Sequence, residues 1–472
     1  MTSRRSVIVV GGGIAGIAAA LRLAESGVAV TLLETRKKLG GRATSFVDVR
    51  TGQTLDNCQH VALGCCTNYL DMLGRLGVAD KIRWDHEQYW VEPGGRTSTI
   101  RPGPLPAPAH FGFSVLAAHF LSVGEKLKLA LAMRAVMRAD RSRWGARTFA
   151  DFLTKHGQPR TLIEKFWSPV VVSACNLTCD RVCAASALHV FQDGFCATRN
   201  SAAIGIATVP LLELYDRAEE VITRAGGIIR LGASVDRLDT TSATTNGETL
   251  TADHVICALP PERATEVIAP ELRASDSRFA ALDRITHSPI LGVHLVFDRP
   301  VLLLPHAVLV EGATQWLFRK DGEGRAVHAV ISAADEWMHL DEAEIGRRVL
   351  ADLHTYFPAS RQVQPVSIRP VKEKRATFAA TPEVEPLRPT ATGPSGLILA
   401  GDYTAVGWPA TMEGATRSGY IAAAAALGHT PQEFLLPDLK KALLARVMGL
   451  RDGPLPGSVV EFQLQRPAAA FT

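Results

Sequence analysis

The chain has 472 residues, enough for two or three domains and a large core. Hydrophobic residues make up 47% and charged residues 21%, and a net charge of +4 is too small to argue for a nucleic-acid partner. No run of eighteen apolar residues is present, so no membrane-spanning helix is expected, and eight cysteines in a chain this long point to reduced thiols and a cytoplasmic setting.

Val7 to Val10 is a short apolar, β-branched run that predicts a buried parallel strand. Gly11, Gly13 and Gly16 follow in a G-x-G-x-x-G pattern, and Ile14 to Ala24 predicts a helix. Gly11 permits the tight turn, Gly13 lets backbone approach a pyrophosphate, and Gly16 lets helix pack close to strand. The helix N-terminus then offers unpaired N–H groups, those of Ile14 and Ala15 included, to phosphate charge. A second strand, Val28 to Leu33, ends in Glu34, 23 residues after Gly11, where an acidic side chain meets a ribose hydroxyl. The opposing reading is a secretory segment, because Arg4-Arg5 precedes an apolar run; glycines at this density weaken it.

Lys38 to Ala43 contains Gly40-Gly41-Arg42, with Arg42 able to reach a phosphate and the glycines keeping backbone close. Leu70 to Leu76 predicts a short helix, and Trp84 to Arg101 predicts strands around a Pro93-Gly94-Gly95 turn. Phe111 to Arg138 predicts one long helix whose stripe of Leu116, Phe120, Val123, Leu127 and Leu131 packs into a core or lies on a membrane. Helices follow at Phe149–His156, Thr161–Ala174 and Cys179–Phe191. Cys175, Cys179 and Cys183 share a face if their helix is continuous, and they predict buried small side chains; no metal site is expected. A helix from Val209-Pro210 to Arg224 precedes strands at Ile228–Leu231 and Ser234–Leu238. Asn246-Gly247 predicts a hairpin turn, and His254 to Leu259 a buried strand. Leu291–Phe297, Ala307–Glu311, Gln315–Arg319 and Val327–Ser332 predict a second sheet, with a helix at Asp341–Phe357 and an extended Val366–Arg375. No second glycine fingerprint appears, which argues against a nicotinamide domain.

Leu397 to Leu399 predicts a strand that stops at Gly401-Asp402, and Gly407 to Ala415 opens a helix running to Ala426. In the tail, Leu439, Leu443, Val447 and Leu450 form an apolar stripe beside Lys440, Lys441 and Arg446. A docked helix or a membrane-surface helix is expected there, with 453–472 loose.

The glycine loop, Glu34, Gly41-Arg42 and Gly401-Asp402 together resemble the FAD fingerprint of the flavin amine oxidoreductase superfamily, which includes phytoene desaturases and protoporphyrinogen oxidases. The resemblance covers about residues 6–426. It implies an α/β fold of two domains: a Rossmann-like FAD domain from 1–84, 206–287 and 388–429, and a mixed-sheet and helical substrate domain from 85–205 and 288–387. Residues 430–472 form a C-terminal helix and tail. It also implies FAD contacts at Gly11, Gly13, Ile14, Ala15, Gly16, Glu34, Thr35, Gly41, Arg42, Val235, Gly401, Asp402, Ala410, Thr411 and Met412.

Within the superfamily, Gly64 to Tyr69, Phe166 to Asn176, Gln315 to Phe318, and Arg375 to Phe378 with Gly407 to Ala415 most resemble the hydroxysqualene dehydroxylases. That resemblance implies reductive removal of an allylic hydroxyl from a C30 isoprenoid, with hydride from reduced flavin giving squalene for hopanoid synthesis. An apolar, aromatic-lined cavity tolerates the allylic cation, and an acid must protonate the departing hydroxyl. Asp56, His60, Asp193 and Glu413 are the candidates; Trp316, Phe318, Tyr403 and Trp408 are the expected pocket wall. An external electron donor and peripheral contact with the cytoplasmic face of a membrane are expected. Two other readings stay open: a phytoene-type desaturase, and a flavin-binding scaffold in a lipid-synthesis complex.

Overall fold

The computed structural model describes residues 5–452. The chain opens with β1 (Ser6–Val10), α1 (Ile14–Glu25) and β2 (Ala29–Glu34). The turn between β1 and α1 needs glycine: Gly11 sits at φ +111, and a Cβ on Gly16 would lie 1.8 Å from the Gly11 carbonyl oxygen. β3 (Gln88–Val91) and β4 (Thr97–Ile100) form a hairpin. Helices α2 (Gly112–Ala117) and α3 (Val123–Arg138) follow. Then come β5 (Ile228–Leu231), β6 (His254–Cys257), β7 (His287–Phe297), β8 (His306–Leu309), β9 (Trp316–Arg319) and β10 (Ala326–Ser332). The chain closes with α4 (Glu342–Tyr356), β11 (Pro365–Phe378), β12 (Ile398–Leu399), α5 (Met412–Leu427) and α6 (Leu443–Val447).

Two sheets organise the molecule. The first is five-stranded and parallel, in the order β5-β2-β1-β6-β12. Helices α1 and α5 pack on it with their backbones close, since a Cβ at Gly419 would lie 2.2 Å from the Ala15 oxygen. The second is seven-stranded, in the order β11-β7-β10-β9-β8-β3-β4, antiparallel except where β8 meets β3. One face of it is buried under Ile345, Val349 and Leu353 of α4. On the other, strand register sets Gly292, Val330, Trp316, Val308 and Trp90 in one row and His294, His328, Phe318 and His306 in the next. The Cys58–Leu63 segment and Ile204 and Ile206 pack over part of this second face.

Several expected elements differ. The helix at 111–138 is broken: α2 stops at Ala117, and Ser122 caps α3 with a capping box to Glu125. Of its supposed core stripe only Phe120 is buried; Leu116, Val123, Leu127 and Leu131 face outward, and Leu129, Ala132, Val136 and Met137 turn inward. A long apolar-rich sequence with two apolar faces does not declare which one is the core. The helix at 161–174 contains a π-helical segment at Ile163–Trp167 and ends at Asn176 in a left-handed conformation. Cys179 and Cys183 therefore lie beyond it, in the connection to a helix at Ala184–His189 that widens into a second π segment, Val190–Phe195. All three thiols are buried and unlinked, and burial pushes those of Cys179 and Cys183 up to about 12. The helix placed at 209–224 is a 3-10 turn at Leu211–Leu214 followed by Arg217–Arg224. Residues 453–472, expected to be loose, lie outside the described residues.

Candidate functional site

The N-terminus of α1 has no side-chain cap and no acidic residue in its first turn, so its N–H groups remain for a ligand. Gly13 and Gly41 face each other across this opening; a Cβ on Gly41 would lie 2.9 Å from the Gly13 Cα. Glu34 closes one side, its Oε2 accepting from the Gly12 N–H at 2.6 Å and its Oε1 from the Arg36 N–H at 2.7 Å. Thr35 continues the chain directly from this carboxylate. The cradle fits a dinucleotide pyrophosphate: side chains are excluded where the phosphates would lie, and helix N–H groups point in.

The second half of the cradle comes from the far end of the chain. Gly401 follows β12 at φ +151, where a Cβ would meet the Tyr403 ring at 2.3 Å. Arg42 Nη2 donates to Asp402 Oδ1 at 2.5 Å, joining segments 360 residues apart, and Arg42 Nη1 donates to the Ala376 carbonyl at 3.0 Å. Arg388, which the sequence reading missed, is buried and donates to the carbonyls of Asp402, Thr404 and Trp408 at 3.1, 2.7 and 2.8 Å. It shapes the loop that delivers Ala410, Thr411 and Met412 to the start of α5, where Thr411 Oγ1 accepts from the Gly414 N–H at 3.1 Å. Val235 lies beyond the parallel sheet, and its carbonyl accepts from Arg263 Nη2 at 3.0 Å.

The acid candidates are placed very differently. Glu413 is fully buried. It accepts from the Asn68 N–H (3.2 Å), Asn68 Nδ2 (2.9 Å), the Tyr69 N–H (2.7 Å) and Arg417 Nε (2.7 Å). Asp56 accepts from Ser45 Oγ at 2.8 Å, the Leu211 N–H at 2.9 Å and Lys320 Nζ at 3.3 Å. Both carboxylates are held by several donors from separate segments and act as posts between them. Asp193 is buried in a cluster with Arg141 (2.6 Å), His189 (3.3 Å) and Lys441. Burial opposes its charge, but these cations hold its carboxyl well below the usual range. His60 is half-buried on the loop over the second sheet. Its Nδ1 lies 3.1 Å from the Cys58 carbonyl, which only accepts, so Nδ1 carries the proton and Nε2 is a free lone pair. Burial lowers its pKa.

The apolar cavity has a volume of about 230 Å³ and is walled by Trp90, Phe111, Phe166, Phe191 and Phe195, with Met133, Met137 and Met448. Gln88 is polar, and Lys126 is the one charged residue in its lining. Trp90 stacks on Phe120 and Phe166 at 5.0 and 5.8 Å. None of the four expected wall residues lines it. Trp316 and Phe318 stack on each other at 5.5 Å farther along the same sheet face, towards Cys58. Tyr403 is buried in the same core cluster as Phe378, and Trp408 packs edge-on against His189 at 4.4 Å. Phe166, Phe191 and Phe195 sit on the two π segments, wide turns that recur at functional sites. Among the described residues, no group of three or more His, Cys, Asp or Glu is placed to hold a metal ion.

A glycine cradle on a parallel sheet, joined to a second sheet with an apolar cavity on its free face, defines an FAD-dependent oxidoreductase. The chain belongs to the flavin containing amine oxidoreductase family, whose model matches residues 14–427. It is 29% identical to the hydroxysqualene dehydroxylase of Sinorhizobium fredii over 90% of this chain and 99% of that one. It is 26% identical to a 15-cis-phytoene desaturase of an Oncidium hybrid cultivar over 89% of this chain and 77% of that one. An oxidoreductase from Methanosarcina mazei shares the fold, with a TM-score of 0.69 and 18% identity over 90% of this chain and 100% of that one.

Proposed function

We propose that this flavoenzyme is a hydroxysqualene dehydroxylase, removing the allylic hydroxyl of a long isoprenoid and replacing it with hydrogen. The observation that carries the reading is the cavity: aromatic and thioether walls, one lysine and no carboxylate. A cationic amine finds no counter-charge there, whereas a hydrocarbon chain and a transient allylic cation find π faces. The relative matched along 99% of its length by this chain bears that name. Reduced FAD, when bound, supplies the hydride, and an external donor restores it. Gly11 to Gly16, Glu34, Thr35, Gly41, Arg42, Gly401 and Asp402 hold the cofactor; α5 turns its N-terminal dipole towards it.

Among the acid candidates, His60 has a valence left for substrate. Asp56 and Glu413 spend theirs on structure. His60 Nε2 receives the substrate hydroxyl's hydrogen bond, and in the imidazolium form it returns a proton to the departing oxygen. Because burial lowers its pKa, the rate should fall as pH rises from below the ordinary histidine value. A pH-independent rate, or full activity in His60→Phe, would remove it from the reaction.

Phytoene-type desaturation is the second reading, supported by the phytoene desaturase relatives. Product mass separates the two. Anaerobic incubation of reduced holoenzyme with hydroxysqualene should yield squalene, with loss of oxygen; loss of two hydrogens from phytoene by the oxidised enzyme would favour the desaturase.

A further inference from the structure

We propose that Glu373 is the charge partner of His60: a free carboxylate on the same sheet face, holding the imidazolium that delivers the proton. The inference rests on the dehydroxylase reading and adds a positioning residue to its proton step. Glu373 lies on β11, the edge strand next to β7. Register pairs it with Ile290, and Ile290 packs with Cys58 and Phe318 on the free face. Its neighbour Lys372 pairs with Leu291 and points to the opposite face, where its Nζ donates to the Met338 carbonyl at 2.9 Å. Strand alternation thus turns Glu373 towards the Cys58–Leu63 loop that carries His60. Three residues on, the Ala376 carbonyl accepts from Arg42, so the same strand borders the cofactor cradle.

Among the described residues, the other charges that act on His60 are spent. Burial lowers the His60 pKa, the Cys58 carbonyl and Asp56 raise it, Arg42 lowers it, and Glu373 raises it. Asp56 is held by Ser45, Leu211 and Lys320, and Arg42 by Asp402 and the Ala376 carbonyl. Burial pushes the Cys58 thiol up to about 12, with Glu373 and Asp56 pushing the same way, so it stays neutral. Glu373 is half-buried and, among the described residues, has no hydrogen bond or ion pair. A carboxylate partly withdrawn from water and left unpaired carries a desolvation cost that a nearby cation returns, and the imidazolium of His60 is such a cation. No proton moves to or from Glu373: His60 gives its Nε2 proton to the departing oxygen, the C–O bond breaks and water leaves. β11 stands at the edge of the sheet away from the aromatic cavity, so the reacting end of a long chain lies by the cradle while its tail reaches Trp90.

The His60 titration tests this on the FAD-loaded, oxidised full chain without substrate, read by NMR from the ring Cε1–H signal that His60→Phe removes. Glu373→Gln keeps the shape and removes the charge, so the imidazolium loses support and the midpoint should fall by about one pH unit. Glu373→Asp should keep most of the wild-type midpoint. With reduced holoenzyme and hydroxysqualene, Glu373→Gln should lose about tenfold in kcat/KM above the midpoint and recover most of it as pH is lowered, which a purely structural defect would not do. Should Glu373→Gln not retain FAD, Glu373→Ser gives the same readout. The pairing is overturned if the midpoint stays put in the uncharged variant, or if Glu373→Asp shifts it as far. It is also overturned if FAD affinity drops while the midpoint is unmoved, which would assign Glu373 to the cradle. A midpoint that moves in an enzyme leaving hydroxysqualene intact would sink the substrate reading alone. A fixed midpoint with wild-type turnover to squalene would sink the pairing alone.

Discussion

At the residue scale, most of the charge chemistry in this molecule serves assembly. Glu34 receives two backbone N–H bonds and was legible from spacing alone, because the strand–turn–helix–strand geometry leaves one place for an acid facing the loop. Glu34→Ala should weaken FAD binding about 10–100-fold, read by titration of the apoprotein; unchanged affinity would contradict its role. Arg388 and Arg417 were not legible, since a buried arginine, whether bonded to loop carbonyls like Arg388 or paired with carboxylates like Arg417, looks in sequence like any surface arginine. The buried pair of His189 and Asp193 makes a pH prediction. Burial, then Arg141, lowers His189 to about 3, whereas the unfolded chain's histidine titrates near 6.5. Between those values the unfolded state binds a proton that the native state refuses, so stability falls as pH is lowered through the window. The slope is up to about 1.4 kcal/mol per pH unit. Asp193, with its depressed carboxyl, acts in the same direction. Urea midpoints of His189→Gln should show a shallower acid limb than the wild type; an identical limb would assign the effect elsewhere.

At the element scale, the segment from Leu436 to Leu450 straps the two halves together. Leu436 exchanges hydrogen bonds with Asn68, Asp438 pairs with Arg417, Lys441 pairs with Asp193, and the Ala442 N–H donates to the Ala197 carbonyl at 2.9 Å. Lys441→Met leaves a buried carboxylate short of one partner and should cost about 3 kcal/mol in denaturant unfolding; a cost near zero would mean that Arg141 and His189 suffice. The helices around the cavity show where sequence reading stops. The apolar periodicity of 111–138 was plain, but the break at Ala118 to Ser122 and the choice of inward face depend on what the rest of the chain brings near. The same holds for the π segments, whose extra residue per turn re-aims Phe166 and Phe191. Met133→Trp should fill part of the 230 Å³ cavity and lower kcat/KM while leaving FAD binding intact; unaltered kinetics would place the substrate elsewhere.

At the scale of the whole molecule, a parallel sheet holding the cofactor is set against a second sheet whose free face runs from the Cys58 loop to Trp90. The first sheet was legible because its glycines, acid and Gly-Asp terminus are local patterns with fixed spacing. The cavity was not, because Trp90, Phe166, Phe191 and Met448 are distant in sequence and meet only through strand order. On the proposed function, this assembly passes electrons from the flavin to an isoprenoid alcohol. Anaerobic holoenzyme, chemically reduced and freed of reductant, should be reoxidised on mixing with hydroxysqualene, with squalene appearing in the same molar amount as oxidised FAD. A flavin that stays reduced with hydroxysqualene, while phytoene bleaches the oxidised enzyme, would contradict the account.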